Sequence, residues 1–257
     1  MFFVLNKQKI IAYGVSVLTV LLLFCFASGM NGEQEVIETS ANNEKLLPIY
    51  NVETKENKIA LTMNCAWNAD DIDKILDVLK ENNVKITFFV VGEWADKYPE
   101  ALKKMSDAGH EIASHSNSHP KVANLSYEEN VKEIETSVEK IEKITGKKSN
   151  LYRPPYGEYN NTVIKAAESK KYKTIQWNLD TLDYTGLTGE EMWKRIEKVK
   201  AGDIILSHNG TKHTADSLDM IIKNIKKKNL EIVKVSELIY KEDYKINVNG
   251  TQAKKDV

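Results

Sequence analysis

Short apolar segments alternate with amphipathic segments of helical period between about residues 58 and 240, and this alternation limits the folds open to the chain. Apolar runs of strand length that are separated by helices form parallel α/β sheets, either doubly wound or closed into a barrel. In both architectures ligands bind at the carboxyl ends of the strands. Seven strands are expected, in the segments KIALTM, KITFFVV, HEIAS, NLY, YKTIQWNL, DIILS and LEIVK.

Two of the intervening helices carry clear start signals. Ser126 and Glu129 form a capping box, in which each side chain satisfies a free backbone N–H at the helix start, and Gly146 ends the same helix. Thr188 and Glu191 repeat the box before a second helix. Further helices are expected from their apolar period over residues 70–82 and 215–228.

The N-terminus carries a long uncharged run. Residues 10–32 contain no charged side chain, follow Lys7 and Lys9, and are numerous enough to span a bilayer. We expect residues 1–32 to be a membrane anchor or a secretory signal peptide, with a buried core helix as the structural alternative.

The net charge and the cysteine content of the chain exclude some classes of function and of fold. The net charge of −1 gives no indication of nucleic-acid binding, and the two cysteines, Cys25 and Cys65, are too few for a disulfide scaffold. We expect a polar linker or a loose wrap over residues 33–57, one domain over residues 58–240 and a polar tail over residues 241–257, in a monomer. The domain would act outside the cytoplasmic membrane.

Histidine, arginine and aspartate recur directly after the expected strands. The first strand is followed by NCAWNADD, the third by HSNSHP, the fourth by RPPYG, the fifth by DTLDY and the sixth by HNG. Because the carboxyl ends of parallel strands meet at one face, these segments are expected to form a single site.

The histidines in these segments indicate metal and acid chemistry. His115 and His119 are four residues apart, a spacing that puts two imidazoles on one face of a helical turn and within reach of one metal ion. Two histidines, one anionic ligand and an open water position make a catalytic zinc arrangement. His208 ends a strand, and Asp180 or Asp183 could hold its imidazole in one tautomer, which would make it a competent general acid. The alternatives are a surface turn for the pair and a structural role for His208.

The segments HSNSH, RPPYG, DTLDY and ILSHN, in this order, resemble the motifs of the polysaccharide deacetylases, the NodB-homology or carbohydrate esterase family 4. The resemblance runs from about Lys58 to Tyr240. LTMNCAW stands where that family has a Thr-Phe-Asp-Asp-Gly run, and its continuation is similar to a clostridial and bacillar branch with members linked to the spore or vegetative cell wall. The resemblance implies a distorted (β/α) barrel of about seven strands and a divalent metal, usually zinc. It also implies hydrolysis of the N-acetyl group of GlcNAc or MurNAc in peptidoglycan or a chitin-like polymer.

Carried over by position, the resemblance implies a role for each matching residue. His115 and His119 would be metal ligands. His208 would protonate the leaving amine, and Asp180 would tune His208. Arg153 would orient the base, from a loop that two prolines stiffen.

The substrate site and the base complete this assignment. Tyr156 and Leu206 would line the substrate site, with the backbone N–H of Tyr156 directed at the oxyanion. The family's first Asp, its catalytic base, is Asn64 in this chain. An amide cannot accept the proton from a metal-bound water, and losing a general base lowers a rate by about 10²–10⁴-fold.

The third metal ligand is also changed, because the family's second Asp is Cys65 here. A thiolate is a good zinc ligand, so a His, His, Cys set is chemically sound. Asp71, beside Asp70, is the other candidate and the one ranked first. The structural alternative for both aspartates is that their charge complements a helix N-terminus.

Three hypotheses follow for the whole chain. It is a deacetylase, slow or still competent, in which Asp70, Asp71 or a metal-bound hydroxide compensates for the lost base. Alternatively, it is an inactive deacetylase fold that binds cell-wall glycan, or a structural wall protein that needs neither metal nor glycan. The survival of HSNSH, RPPYG and SHN favours the first two hypotheses.

Overall fold

The structure is a computed structural model that describes residues 45–255. The expected anchor or signal peptide and the first part of the expected linker lie outside these described residues. Within residues 45–255, no helix combines the length and the apolar character that crossing a bilayer requires.

The domain is built on one curled sheet in which every strand pair is parallel. Seven strands follow one another in the order β6-β5-β4-β3-β2-β8-β7, and β9 pairs with the start of β2. The strands of this sheet are β2 (Lys58–Cys65), β3 (Thr87–Val90), β4 (Glu111–Ser114), β5 (Leu151–Tyr152), β6 (Lys173–Thr174), β7 (Leu179–Asp180), β8 (Ile204–His208) and β9 (Glu231–Val233). This confirms the expected α/β class and the distorted barrel.

The sheet curls because its two edge strands are close neighbours along the chain. Residues 172–179 were expected to form one strand, but they form β6 at one edge and β7 at the other. Only residues 175–178 connect these strands, so the two edges must lie near each other. The backbone carbonyl of Gln176, in this connection, accepts a hydrogen bond from Arg153 at 3.2 Å.

The expected helices are present, and local capping signals define their ends. Ser126 and Glu129 form the capping box, and Gly146 adopts a left-handed conformation after the helix. Thr188 and Glu191 form the second box. The helices are α1 (Ile72–Glu81), α2 (Gly92–Lys97), α3 (Pro99–Asp107), α4 (Tyr127–Thr145), α5 (Asn161–Ser169), α6 (Gly189–Ile196), α7 (Thr214–Lys227) and α8 (Val235–Leu238).

The pleat of β2 determines which of its side chains face the site. Ile59, Leu61, Met63 and Cys65 belong to the core cluster that packs the sheet against helices such as α1 and α7. The alternate residues face the other side of the sheet, since successive strand side chains point in opposite directions. Asn64 therefore faces the barrel interior, and Cys65 faces the helical layer.

The termini of the described chain form a second, three-stranded sheet in the order β1-β11-β10. Its strands are β1 (Asn51–Val52), β10 (Tyr244–Ile246) and β11 (Thr251–Lys254). Residues 45–57 and 241–255 are thus ordered parts of the fold, which corrects the expectation of a linker and a polar tail. The polar sequence of these segments gave no indication of strands, because the strands are held by backbone hydrogen bonds to partners distant in sequence. One anchor is Gly202, whose carbonyl accepts the N–H of Val52 at 2.8 Å.

Candidate active site

A pocket of about 410 Å³ opens at the carboxyl ends of the strands, and all five segments that were expected to converge contribute to it. They do so because β2, β4, β5, β7 and β8 are parallel neighbours or near neighbours in one sheet. The pocket is lined by Asn64, Ala66, Trp67, His115, His119, Tyr156, Trp177, Asp180, Tyr184, Leu206 and His208.

Arg153 is fully buried beside this pocket. Its Nη1 donates to Thr62 Oγ1 at 2.8 Å and to Asn64 Oδ1 at 3.0 Å, and its Nη2 donates to the carbonyl of Gln176. These three acceptors are neutral. Burial lowers the pKa of Arg153 to about 9, and the nearby charge of Asp180 acts in the opposite direction. The guanidinium is therefore a buried cation without a hydrogen-bonded carboxylate.

The bond to Arg153 also fixes what Asn64 offers to the pocket. A guanidinium only donates hydrogen bonds, so the amide oxygen of Asn64 must face it. The group left for the pocket is the Nδ2 amide, which is a donor. An aspartate at this position would present a proton acceptor at the same place, next to His208 in the strand register. The position holds the shape of a catalytic carboxylate without its basicity.

His115 and His119 lie together, with ring centroids 4.9 Å apart. They do so on a bend and not on the expected helical turn, because Ser116 and His119 have positive φ angles of 66° and 58°. The His119 N–H donates to Ser116 Oγ at 3.0 Å and holds the bend closed. The spacing of four residues therefore predicted correctly that the two histidines lie together, but the helical turn that it predicted is not formed.

The two imidazoles are in the state that a metal ligand requires. His115 Nδ1 is 2.7 Å from the carbonyl of Arg153, so it carries the proton and leaves Nε2 with a free lone pair. Burial, followed by the proximity of His119, lowers the pKa of His115 well below its usual value. Burial also lowers the pKa of His119. Both rings are neutral at pH 7.

Neither expected third ligand joins this pair. Asp71 accepts the Gly210 N–H at 2.7 Å and Asn209 Nδ2 at 3.2 Å, and it lies outside the residues that line the pocket. Cys65 is packed in the core between the sheet and the helices, where burial raises the pKa of its thiol. The sequence did not indicate where the side chains of Asp71 and Cys65 point, since this depends on the pleat of β2 and on the loop after it.

The donor set therefore does not fit the three-ligand zinc of a catalytic site. Among residues 45–255, no three histidine, cysteine or acidic side chains come together in a group that could hold a metal ion. What remains is two neutral imidazoles without an anionic partner.

His208 forms an acid–base pair, but with a different aspartate from the one assigned. Its Nδ1 is 2.8 Å from Asp183 Oδ1. Asp183 Oδ2 accepts the backbone N–H of His208 and the hydroxyl of Thr214, both at 2.7 Å. Asp180, the residue expected to tune His208, instead lines the pocket and accepts the N–H of Leu182 at 2.8 Å. The left-handed turn at Leu182 puts Asp183 against the imidazole.

Exposed aromatic side chains surround His208 and the histidine pair. Trp67 and Tyr184 both lie next to the His208 ring, each with a centroid distance of 5.4 Å. Tyr156 contacts His119 at 4.6 Å. These three are 49%, 52% and 61% exposed, so their faces are open to a ligand. Tyr156 was the aromatic side chain expected to line the site. Trp67 and Tyr184, which also follow strand ends and could stack on sugar rings, line it as well.

The family model for polysaccharide deacetylase matches residues 51–175. The chain is also 31% identical over 210 residues to the peptidoglycan-N-acetylmuramic acid deacetylase PdaA of Bacillus subtilis, a match that covers 79% of each chain. The chain belongs to the polysaccharide deacetylase family. The family is a class of hydrolases whose members are generally metal-dependent.

Other relatives are longer than the matched region. The chain is 33% identical over 181 residues to the peptidoglycan-N-acetylglucosamine deacetylase of Bacillus cereus and covers 66% of its length. It is 33% identical over 193 residues to YlxY of Bacillus subtilis and covers 60% of that protein.

Solved structures include family members that have lost activity. A family 4 pseudoenzyme from Bacillus anthracis superimposes with a TM-score of 0.72 at 31% identity, over 74% of this chain and 68% of that one. A mutant of the same protein is described as having restored enzymatic activity, with the same TM-score and identity. The deacetylase fold of this chain is therefore shared by active and inactive members.

Proposed function

We propose that this chain binds N-acetylated cell-wall glycan in the pocket between Asn64 and His208 and that its deacetylation of that glycan is strongly impaired. The observation that carries the proposal is the pairing of Arg153 with Asn64. In place of a carboxylate, the position next to His208 offers an amide, which cannot take a proton from water. The donor set around His115 and His119 also lacks a third, anionic member.

The aromatic side chains support retention of glycan binding. Trp67, Tyr156 and Tyr184 are three of the five large hydrophobic side chains that are exposed in residues 45–255, and all three line this one pocket. An aromatic ring that keeps a face exposed gives apolar contact area at a small loss of side-chain freedom. The C–H face of a pyranose ring is the complementary surface.

Slow hydrolysis is the second candidate function, and Asp180 favours it. Asp180 is the one carboxylate among the residues that line the pocket. Asp70 and Asp71, which were expected to compensate for Asn64, are not among those residues. If the chain retains any activity, Asp180 is the carboxylate placed to act as the base, with His208 as the acid and Asp183 holding the His208 proton on Nδ1.

The substrate class follows from the relatives. The matched proteins of Bacillus subtilis and Bacillus cereus are peptidoglycan deacetylases, which act on the cell wall. A glycan ligand in the wall requires this chain to work outside the cytoplasmic membrane. Residues 1–32, with their uncharged run, would serve as the anchor or export signal.

Acetate release tests the proposal. The wild type, Asn64→Asp and Asp180→Asn would be incubated with chitooligosaccharide and with peptidoglycan, with zinc present. We expect Asn64→Asp to exceed the wild type by at least about 10²-fold, because it restores a general base. A wild-type rate equal to that of Asn64→Asp would overturn the proposal. A wild-type rate that Asp180→Asn abolishes would instead support the second candidate.

Binding must be measured apart from turnover. Trp67→Ala and Tyr184→Ala are expected to weaken chitooligosaccharide binding by about fivefold each, since an aromatic contact of this kind contributes about 1 kcal/mol. Tyr127→Ala is the matched control, because Tyr127 is 39% exposed on α4 and does not line the pocket. Equal binding by all three variants and the wild type would exclude the pocket as the glycan site.

A further inference from the structure

A buried threonine lies behind the pair that His208 forms with Asp183. Thr214 is the first residue of α7 and is 1% exposed. Its hydroxyl donates to Asp183 Oδ2 at 2.7 Å. Thr214 is not one of the residues that line the pocket, so it acts on a bound ligand only through Asp183 and His208.

The carboxylate of Asp183 has hydrogen-bond partners on both oxygens. Oδ1 is 2.8 Å from His208 Nδ1, and Oδ2 accepts the backbone N–H of His208 together with the Thr214 hydroxyl. The side chain of Asp183 is 0% exposed, so bulk water does not reach these oxygens. Among residues 45–255, Thr214 therefore supplies the one side-chain donor on Oδ2.

A second hydroxyl fixes the direction of the Thr214 proton. Thr211 Oγ1 lies 2.6 Å from Thr214 Oγ1 and also accepts the backbone N–H of Thr214 at 3.2 Å. A carboxylate only accepts hydrogen bonds, so the single hydroxyl proton of Thr214 points to Asp183 and its oxygen accepts from Thr211. Hydrogen bonds in a chain of this kind strengthen one another.

This chain of contacts decides which nitrogen of His208 meets a ligand. With Oδ2 occupied by Thr214 and by a backbone N–H, the Asp183 carboxylate has one orientation, and Oδ1 holds the ring proton on Nδ1. Nε2 is then the nitrogen left for the pocket. Without the Thr214 hydroxyl, Oδ2 would keep a single donor, and the carboxylate could turn and release the imidazole.

We propose that Thr214 is a positioning residue for His208, because its hydroxyl fixes the Asp183 carboxylate and thereby the tautomer and orientation of the imidazole. The effect on turnover rests on the acid role given to His208 under the proposed function. The effect on the imidazole concerns the wild-type chain, whether or not that chain hydrolyses glycan. The simpler alternative is that Thr214 only satisfies a buried oxygen, so that its loss lowers stability and leaves the imidazole unchanged.

Proton NMR gives the first test, on the chain of 257 residues without added metal and with a non-ionic detergent because of its apolar first 32 residues. A ring N–H that is bonded to a buried carboxylate gives a sharp signal downfield of the backbone amides, and His208→Gln assigns it. Thr214→Val keeps the shape of the side chain but removes the hydroxyl. We expect it to broaden the His208 signal or move it upfield, and Thr214→Ser to restore it.

The spectrum contains its own reference signal. His115 also carries its ring proton on Nδ1, which is 2.7 Å from the carbonyl of Arg153. That bond involves neither Asp183 nor Thr214. The His115 signal should therefore stay unchanged in Thr214→Val, whereas a general loosening of the fold would alter both histidine signals.

Thr145→Val is the matched control for the loss of a buried hydroxyl. Thr145 lies in α4, where its hydroxyl bonds to the carbonyl of Ile141 at 2.8 Å. We expect this variant to lower stability and to leave the His208 signal in place. If Thr214→Val does not fold, Thr211→Val removes only the second hydroxyl and should move the signal in the same direction by a smaller amount.

Acetate release gives the second test, in the Asn64→Asp background, where a general base is present. We expect Thr214→Val to lower kcat by at least about tenfold, or about 1.4 kcal/mol, and to leave KM nearly unchanged. This pattern marks an interaction that matters in the transition state and not in binding. Thr214→Ser should recover most of kcat, and Thr145→Val should not change it.

The two tests separate this proposal from the proposed function. An unchanged His208 signal in folded Thr214→Val would overturn the role of Thr214, as would an equal change in Thr145→Val. An altered signal with an unchanged kcat would show that hydrolysis does not depend on this orientation, which also refutes the positioning role. An Asn64→Asp chain that releases no acetate would count against the base at position 64, and the NMR comparison would still decide the role of Thr214.

Discussion

Replacing Asn64 with aspartate should stabilise the fold as well as alter activity, because it gives Arg153 a counter-ion. Arg153 is fully buried, and its Nη1 already lies 3.0 Å from Asn64 Oδ1. A carboxylate would occupy the same place without any movement of the backbone.

The magnitude follows from the pKa of Arg153. Burial lowers that pKa from 12.5 to about 9. This difference corresponds to about 5 kcal/mol against the charged form, at about 1.4 kcal/mol for each pKa unit. A carboxylate in contact recovers part of this, with about 4 kcal/mol of attraction at an effective dielectric constant of about 20. Desolvation of the new carboxylate opposes the gain. We expect a net stabilisation of about 2 kcal/mol, which raises Tm by roughly 4–8 °C.

Urea unfolding at pH 7, followed by tryptophan fluorescence, measures the effect. The double-mutant cycle with Arg153→Met isolates it, since the gain from Asn64→Asp should vanish when the cation is absent. Asn209→Asp is the matched control: Asn209 is fully buried, and its Nδ2 donates to Asp71 Oδ1 at 3.2 Å. A second carboxylate there would face Asp71, so the same chemical change should destabilise the fold. If Asn64→Asp is neutral or destabilising, or its effect persists in Arg153→Met, the account of Arg153 as an unpaired buried cation is refuted.

Three further predictions concern stability and binding. The pKa of His110 is about 4 in the fold, below its usual 6.5, so the unfolded chain takes up the proton first. The contribution of His110 to stability is therefore complete above pH 6.5 and is lost as pH falls towards 4, by up to about 3 kcal/mol relative to His110→Gln in urea unfolding. Gly202→Ala should destabilise the fold by more than about 2 kcal/mol, because φ is +88° and the new Cβ would lie 1.8 Å from the carbonyl oxygen of Val52; an unchanged urea midpoint would contradict this. Trp67→Phe should retain most of the glycan affinity that Trp67→Ala loses in titration calorimetry, since the ring face is what the ligand contacts.

Local signals in the sequence predicted local structure well. The capping boxes at Ser126 and Thr188 are formed as expected, because each involves side chains three residues apart. The site residues that directly follow strands were also predicted, since the carboxyl ends of parallel strands lie at one face of the domain. His115 and His119 are examples, although their bend was not foreseen.

Features that depend on distant contacts were not predictable. Residues 172–179 contribute to two strands at opposite edges, because the sheet curls far enough to bring those edges close to each other. Asp180 and Asp183 were both candidates to hold His208, and the outcome in favour of Asp183 depends on a left-handed residue that reverses the loop between them. Cys65 faces the helical layer as a consequence of the pleat that directs Asn64 to the barrel interior. No short motif encodes any of these arrangements.

The terminal strands were not predicted, for a related reason. β1, β10 and β11 contain many polar residues, and their pairing is specified by backbone hydrogen bonds across the whole length of the domain. Such pairs do not leave an apolar period in the sequence. The expected domain boundaries were therefore too narrow at both ends.

The central claim is that the pocket binds an N-acetylated glycan while Asn64 prevents efficient hydrolysis. A single proton NMR experiment tests both parts, by following the N-acetyl methyl signal of chitotetraose in the presence of the wild-type chain and zinc. The account predicts that this signal broadens as the oligosaccharide binds, whereas the signal of free acetate stays near the baseline over hours. Rapid growth of the acetate signal would contradict the impaired site, and a methyl signal that neither broadens nor is consumed would contradict glycan binding.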